Sequence, residues 1–437
     1  MLGAETPAPS SQPAFRLAPV GYLSEGYRLG SAVRDPEGGV LLPAGVVIDD
    51  SLIRRLRADG SPWVSIELAD WEAIKSLREV DAQRRRRASL GGGLGHSPAT
   101  RELDAALHAE GLRALAPEAD PFARRVQQHG ATPYHPNLQR VQAEQHRATV
   151  NHVKHLVSSL DRDQAVDGEQ LQQVSHGAVE QAAKDLDLFV SLGIDSSSRE
   201  TLFDHSASVS RLAVAMGARL GLAEQSLVEL GAGCLVHDAG MLRIQPGLTD
   251  AARPLTAQER IEVAKHPIIA TDLLYKNAER VPVGVRMVVY QMHERCDGSG
   301  YPRGCVRDEI HPLARVAAVA DSYIAMISQR PYREAWTPYR AVESLLRDTA
   351  QGLYDPSAMR SLLQAISLFP IGSLVQLSDG RVAKVRRANG QQYDRPVVEA
   401  WALRRGPQSP ELVDLAAQDL RVQRSLAKLR DALRAPR

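Results

Sequence analysis

The spacing of apolar residues changes character twice along this 437-residue chain. Between Gly21 and Leu68, short apolar runs are broken by turn residues: Val40-Leu41-Leu42, then Pro43-Ala44-Gly45, then Val46-Val47-Ile48. Leu52, Ile53 and Leu56 follow at helical spacing, and Trp63-Val64-Ser65-Ile66 alternates. That pattern predicts a small β-rich domain with one helix over residues 19–80. From about Gln139 to Ile366, apolar residues recur at intervals of three and four, as in Val209, Leu212, Ala213, Met216 and Leu220. The stretch 136–366 therefore reads as a helical domain. Strand chemistry returns between Phe369 and Trp401, where Leu374–Leu377 and Val382–Val385 flank the turn Ser378-Asp379-Gly380 and Val397-Val398 follows. Residues 367–437 are expected to form a C-terminal β segment and a charged terminal helix.

Two segments lack such periodicity. Residues 1–18, rich in Ala, Pro and Ser, are expected to be disordered. Residues 81–135 carry the run Arg84–Arg87, then Gly91-Gly92-Gly93 and scattered prolines, and read as a flexible basic linker. No aromatics accompany the arginines, which favours a solvated tether over a phosphate site. The fold class is mainly α: an all-helical core with a small N-terminal β-rich domain and a short C-terminal β segment.

Composition narrows the function. A hydrophobic share of 43% and a charged share of 24% describe an ordinary globular protein. The formal net charge of +1 gives no global field, so a DNA or RNA duplex is not an expected partner, and neither is an anionic membrane surface. No run reaches the ~18 apolar residues needed to span a bilayer. The N-terminal residues lack the basic-then-apolar order of a secretory signal. Cys234, Cys296 and Cys305 have no C-x-x-C spacing. Together these features predict a cytoplasmic protein without membrane insertion.

The informative chemistry lies in the helical region, where ionisable residues occupy positions that the apolar pattern assigns to the core. His237-Asp238 ends a helix containing Leu227, Leu230, Cys234, Leu235 and Val236. Asp321 sits in Val316–Met326, a helix with almost no other charge, and His205, His266 and His293 lie at helix ends or on apolar faces. A lone member of this set reads as a hydrogen-bonded core histidine or an N-cap aspartate. Four histidines and two aspartates together supply six imidazole and carboxylate ligands, a set suited to iron, manganese, zinc or cobalt rather than calcium.

The series His205, His237-Asp238-Ala239-Gly240, His266, His293-Glu294-Arg295-Cys296-Asp297-Gly298-Ser299-Gly300-Tyr301-Pro302 and Asp321 resembles an HD-GYP domain over roughly residues 198–366, with its motifs in 198–340. That family is a branch of the HD phosphohydrolase superfamily known for hydrolysing the bacterial second messenger cyclic di-GMP. The resemblance implies an all-helical fold with one or two divalent ions in its core, iron or manganese foremost. It implies one metal site from His205, His237, Asp238 and Asp321. Asp238, the residue on which catalysis centres, would bridge to a second site with His266 and His293. It further implies that Gly298, Gly300, Tyr301 and Pro302 form a loop against the nucleotide, and that Arg330 and Arg333 contact its phosphates.

This sequence departs from the family pattern in five places, one of them Arg333 where a lysine is more usual. Met292 stands where a second histidine ligand is usual, Met241 where a lysine is, and Ile324 where an aspartate is; Thr201 stands where a three-metal subgroup has a glutamate. Losing one imidazole should weaken the second metal by about 10–100-fold, the cost even of outer-shell changes. Two functions are implied. One is a cyclic di-GMP phosphodiesterase yielding the linear dinucleotide or GMP. The alternative is a degenerate domain that binds the dinucleotide or a signalling partner without hydrolysis. The N-terminal domain suits a sensory or dimerising module, which would make the protein a homodimer.

Overall fold

The structure, a computed structural model, describes residues 15–20, 23–35, 37–58, 63–74, 76–77, 97–110, 117–194, 201–248, 251, 253, 255–276, 281–330, 333–401 and 410–426. The chain separates into two compact units, one within residues 1–88 and one within 89–437.

The first unit is an antiparallel sheet of β1 (Phe15–Pro19), β2 (Val33–Arg34), β3 (Val40–Leu42) and β4 (Trp63–Glu67) in the order β1-β4-β2-β3, with helix α1 (Asp50–Ala58). Val33, Leu42, Ile48, Leu56, Val64 and Ile66 form its core. β1 corrects one expectation: Phe15 to Ala18 fall in the segment expected to be disordered, yet they pair in register with Glu67 to Val64. An edge strand tolerates the terminal Pro19, and the Ala/Pro/Ser bias belongs to residues 1–14, which lie outside the described residues.

The second unit is mainly helical. Its helices are α2 (Pro98–Glu110), α3 (Pro136–Asp161), α4 (Gly168–Lys184), α5 (Leu186–Ile194), α6 (Leu202–Leu220), α7 (Glu224–Val236), α8 (Ala257–Val263), α9 (His266–Tyr275), α10 (Val283–Gln291), α11 (Pro312–Ile327), α12 (Pro338–Ala350) and α13 (Pro356–Ile366). α6 is the spine. It is buried from His205 to Ala218 and packs against α3, α5, α7, α11 and α13. Thr201 and Asp204 close a reciprocal cap at its start, and Gly221, in the left-handed region at φ 83°, ends it. Val209, Leu212, Ala213 and Met216 join Leu227, Leu230, Val316 and Val319 in the principal apolar cluster.

The linker expected over 81–135 is corrected over its described part. Ser97 and Thr100 exchange hydrogen bonds ahead of α2. α2 buries Leu103 against Met287 and Tyr290 of α10. A short 3-10 turn, Phe122–Arg125, sends Phe122 into the principal cluster. The arginine run and the triple glycine lie outside the described residues.

At the C-terminus, β5 (Leu374–Leu377), β6 (Val382–Arg387), β7 (Val397–Trp401), β8 (Glu411–Asp414) and β9 (Val422–Leu426) form an antiparallel sheet in the order β8-β7-β6-β5-β9. Where a terminal helix was expected, β8 and β9 are strands that bury Val413 and Leu426, and residues 427–437 lie outside the described part. The sheet is docked on the helices by Arg387, which makes two 2.9 Å bonds to Asp185 at the head of α5. No helix among the described residues is long and apolar enough to cross a membrane.

Candidate metal centre

Three helices and the turns that end two others bring the six predicted donors together. His205 lies in the first turns of α6 and Asp321 in the middle of α11, two helices that pack on each other. His205 Nε2 and Asp321 Oδ1 are 3.0 Å apart. His237 caps the C-terminus of α7, and Asp238 starts the 3-10 turn Ala239–Arg243. Gly240 within that turn explains how α9 is brought in. A Cβ there would stand 2.1 Å from the His266 carbonyl oxygen and 2.9 Å from the Ala270 nitrogen, so only glycine allows the turn to lie on the helix start. His266 is consequently held against Asp238. His293 follows the end of α10.

Asp238 is the hub. Its Oδ1 is 3.3 Å from Nε2 of both His237 and His266. The donor atoms form two groups that share it, His205/His237/Asp238 and Asp238/His266/His293, with the atoms of each within 4.8 Å of one another. Asp321 faces both, at 4.0 Å from His237 Nε2 and 3.6 Å from His293 Nδ1.

The donor chemistry fits a metal. His237 Nδ1 donates to the Cys234 carbonyl and His266 Nδ1 to that of Val263, each at 2.8 Å. Those bonds engage each Nδ1 and point each Nε2 at Asp238. Nε2 of His237, His266 and His293 and Nδ1 of His205 are all buried with no hydrogen-bond partner. Four orphaned imidazole nitrogens in one place are costly unless something electrophilic meets them.

The charge states agree. Burial pushes Asp238 and Asp321 upward, but the surrounding histidines outweigh it and hold both carboxyls well below the usual range. Burial lowers His266, and it takes His293 down to about 3, so both are neutral ligands at ordinary pH. His237 is the exception: Asp238 and Asp321 overcome its burial and raise it to about 9.

The loop after His293 is built by its own residues. Glu294 is buried and accepts backbone N–H bonds from Arg303 at 2.7 Å and Cys305 at 3.0 Å. Gly298 takes φ 80°. A Cβ on Gly300 would meet the Arg295 nitrogen at 2.3 Å. Tyr301 returns to the cluster, its ring stacked on His293 at 5.0 Å and edge-on to His266 at 6.0 Å, and Pro302 is buried behind it.

The arginines differ from the pattern of the loop. Arg333 donates to the carbonyls of Ala325 at 2.8 Å and Met326 at 3.0 Å, capping the C-terminus of α11, and Arg330 meets it through a backbone bridge. Met292 and Ile324 are fully buried in the principal apolar cluster. Sequence reasoning did not find the supporting residues: the Cys234 and Val263 carbonyls, the Glu294 clasp, or Ser322, which bonds Tyr354 at 2.8 Å and Arg295 at 3.3 Å. Backbone acceptors carry no residue signature, and Glu294, between His293 and Arg295, does not stand out from its polar neighbours.

Residues 194–358 match the profile of a family described as "HD domain". Over 220 residues the chain is 32% identical to "Cyclic di-GMP phosphodiesterase PA4108" of Pseudomonas aeruginosa, covering 50% of this chain and 52% of that protein. It is 35% identical over 157 residues to "Cyclic di-GMP phosphodiesterase response regulator RpfG" of Xanthomonas campestris pv. campestris, covering 36% and 41%. It is 29% identical over 166 residues to "3'3'-cGAMP-specific phosphodiesterase 3" of Vibrio cholerae, covering 38% and 35%. The chain spans about half the length, or less, of these relatives.

Proposed function

We infer, from the premise that residues 194–358 form an HD domain of the HD-GYP kind, that this chain is a metal-dependent phosphodiesterase opening cyclic di-GMP to the linear dinucleotide or to GMP. The observation that carries this reading is the pair of buried donor groups sharing Asp238.

A phosphodiester is anionic and repels nucleophiles, and water near neutral pH is almost wholly protonated. Divalent ions, with iron or manganese suited to donors lacking thiolates, would if bound supply an acidified water and offset charge on the phosphoryl oxygens. His205, His237 and Asp321 would hold the first ion together with Asp238, and His266 and His293 the second. Asp238 belongs to both groups, so each depends on it. Tyr301, stacked on His293, offers a ring face and a hydroxyl to the nucleotide. Gly298 and Gly300 keep the loop backbone within reach of a phosphate, with Pro302 supporting Tyr301. Arg330 would contact a phosphate, while Arg333 acts through α11, whose end it caps. Second-messenger signalling through protein partners or a homodimer, in the cytoplasm, belongs to the same inference.

A second reading, binding of the dinucleotide without turnover, is favoured by Met292 and Ile324, which put apolar packing where the family pattern has ligating and polar groups. Protein loaded with manganese or iron and incubated with cyclic di-GMP separates the two. Slow formation of the linear product, abolished in Asp238→Ala, is expected; stoichiometric binding with no product after long incubation supports the second reading. Faster turnover of 3'3'-cGAMP would move the substrate without moving the chemistry.

A further inference from the structure

Among the described residues, four arginines are buried: Arg211, Arg286, Arg315 and Arg387. Three have a carboxylate in contact: Arg286 has Glu102 at 2.9 Å, Arg315 has Asp355 at 3.0 Å, and Arg387 has Asp185 at 2.9 Å. Arg211, in the middle of α6 and 4% exposed, has none among the described residues. Its Nε donates to the Phe189 carbonyl at 2.9 Å, and its guanidinium lies 4.0 Å from the Phe189 ring centroid. Its Nη2 is buried with no hydrogen-bond partner. Burial pulls the group down to about 9 with no opposing negative charge, and it remains a cation at neutral pH. The neighbouring His146 adds none, because burial and then the Arg211 charge hold it near 4, neutral.

A guanidinium taken out of water without a counter-charge is costly, and folded chains retain one where something supplies the anion. Here a cavity stands beside it. The space between α3 and α4 has a volume of about 320 Å³, and Arg211 is part of its wall. Ala148, Val174 and Ala178 give it apolar sides, Gln170 and Gln173 add neutral amides, and no carboxylate is among the described residues that line it. Such a volume suits a small organic molecule and is at the low end of the roughly 300–1,000 Å³ typical of ligand pockets.

We propose that this cavity is a second ligand site, separate from the metal centre, which takes a small organic anion whose carboxylate or phosphate head pairs with the Arg211 guanidinium while its body lies against Ala148, Val174 and Ala178. The planar fork of arginine matches either oxyanion with two parallel bonds.

The test uses the full chain, exchanged into chloride buffer at constant ionic strength and titrated with sodium phosphate and, separately, sodium butyrate. Calorimetry and the melting temperature are the readouts. Saturable binding and a rising melting temperature are expected with at least one of the two: phosphate alone identifies a phosphate head, butyrate alone a carboxylate, and both a general oxyanion site. Arg211→Met should weaken binding by about ten- to hundredfold, the worth of a hydrogen bond to a charged group. It should melt no lower than the wild type in chloride, because it removes an uncompensated charge. Gly177→Leu keeps Arg211 but fills the cavity; a Cβ at Gly177, which lines the site, meets nothing within 4 Å. It should lose the response too. Neither anion binding the wild type, or binding unchanged in both variants, overturns the proposal.

Discussion

At the scale of single residues, the centre depends on where lone pairs and Cβ atoms are forbidden or required. The carbonyls of Cys234 and Val263 turn two imidazoles so that Nε2 faces Asp238. Gly240 lets His266 approach at all. In Gly240→Ala the new methyl meets backbone rather than a flexible side chain, so α9 must shift, at an overpacking cost of about 1–3 kcal/mol. Manganese titration of that variant should show the Asp238/His266/His293 group losing its ion while the His205/His237/Asp238 group keeps one; unchanged stoichiometry would show that Gly240 does not set the position of His266. The six residues that the structure brings together were legible in the sequence because a carboxylate or imidazole at the end or on the apolar face of a helix stands out. Their supports were not, because a main-chain carbonyl has the same identity in every residue. Arg333 illustrates the converse: its place in the motif suggested phosphate contact, whereas its guanidinium is engaged with the carbonyls ending α11.

At the scale of elements, periodicity served where it was continuous. The helical stripe of α6 and the hairpin of β5 and β6, with Gly380 at φ 86°, stand where the pattern put them. It failed where a biased neighbour masked a short signal. Leu103 and Leu107 mark one face of α2, four residues apart, but the arginine and glycine runs just before them dominated the reading. The docking of the C-terminal sheet was equally hidden, since nothing in the sequence pairs Arg387 with Asp185 across 202 residues. Breaking that contact by Arg387→Met leaves two carboxylates facing each other in a buried site, and a loss of about 3–5 kcal/mol in urea unfolding is expected. The same place carries a pH dependence. Burial, helped by Asp185 and opposed by Arg219 and Arg387, raises Asp187 to about 6. Its folded pKa lies above its unfolded one, so its contribution to stability is full below about pH 4 and is lost as pH rises through about 6. Asp187→Asn should flatten the stability profile across that window; an unaltered profile would place the titration elsewhere.

At the scale of the whole molecule, the two units make different demands on truncation. A chain beginning at residue 89 retains α2 and Phe122 and should melt like the second unit of the intact protein. A chain beginning at residue 136 loses Leu103 and Phe122 from the helical unit's apolar clusters. Loss of a buried phenylalanine alone costs about 3–5 kcal/mol, so a clearly lower melting temperature is expected for the shorter chain. Equal melting of the two would mean that the segment 97–125 only decorates the fold. The six donors come from segments between 205 and 321 and converge only when α6, α7, α9, α10 and α11 are packed together, so metal binding reports on the fold and the chemistry at once. The most direct test is the manganese content of the protein at saturation, compared with Asp238→Ala. The wild type should hold one or two ions per chain, and the variant, missing the carboxylate common to both groups, should hold none. A wild type that binds no ion, or a variant that binds as many, contradicts the account.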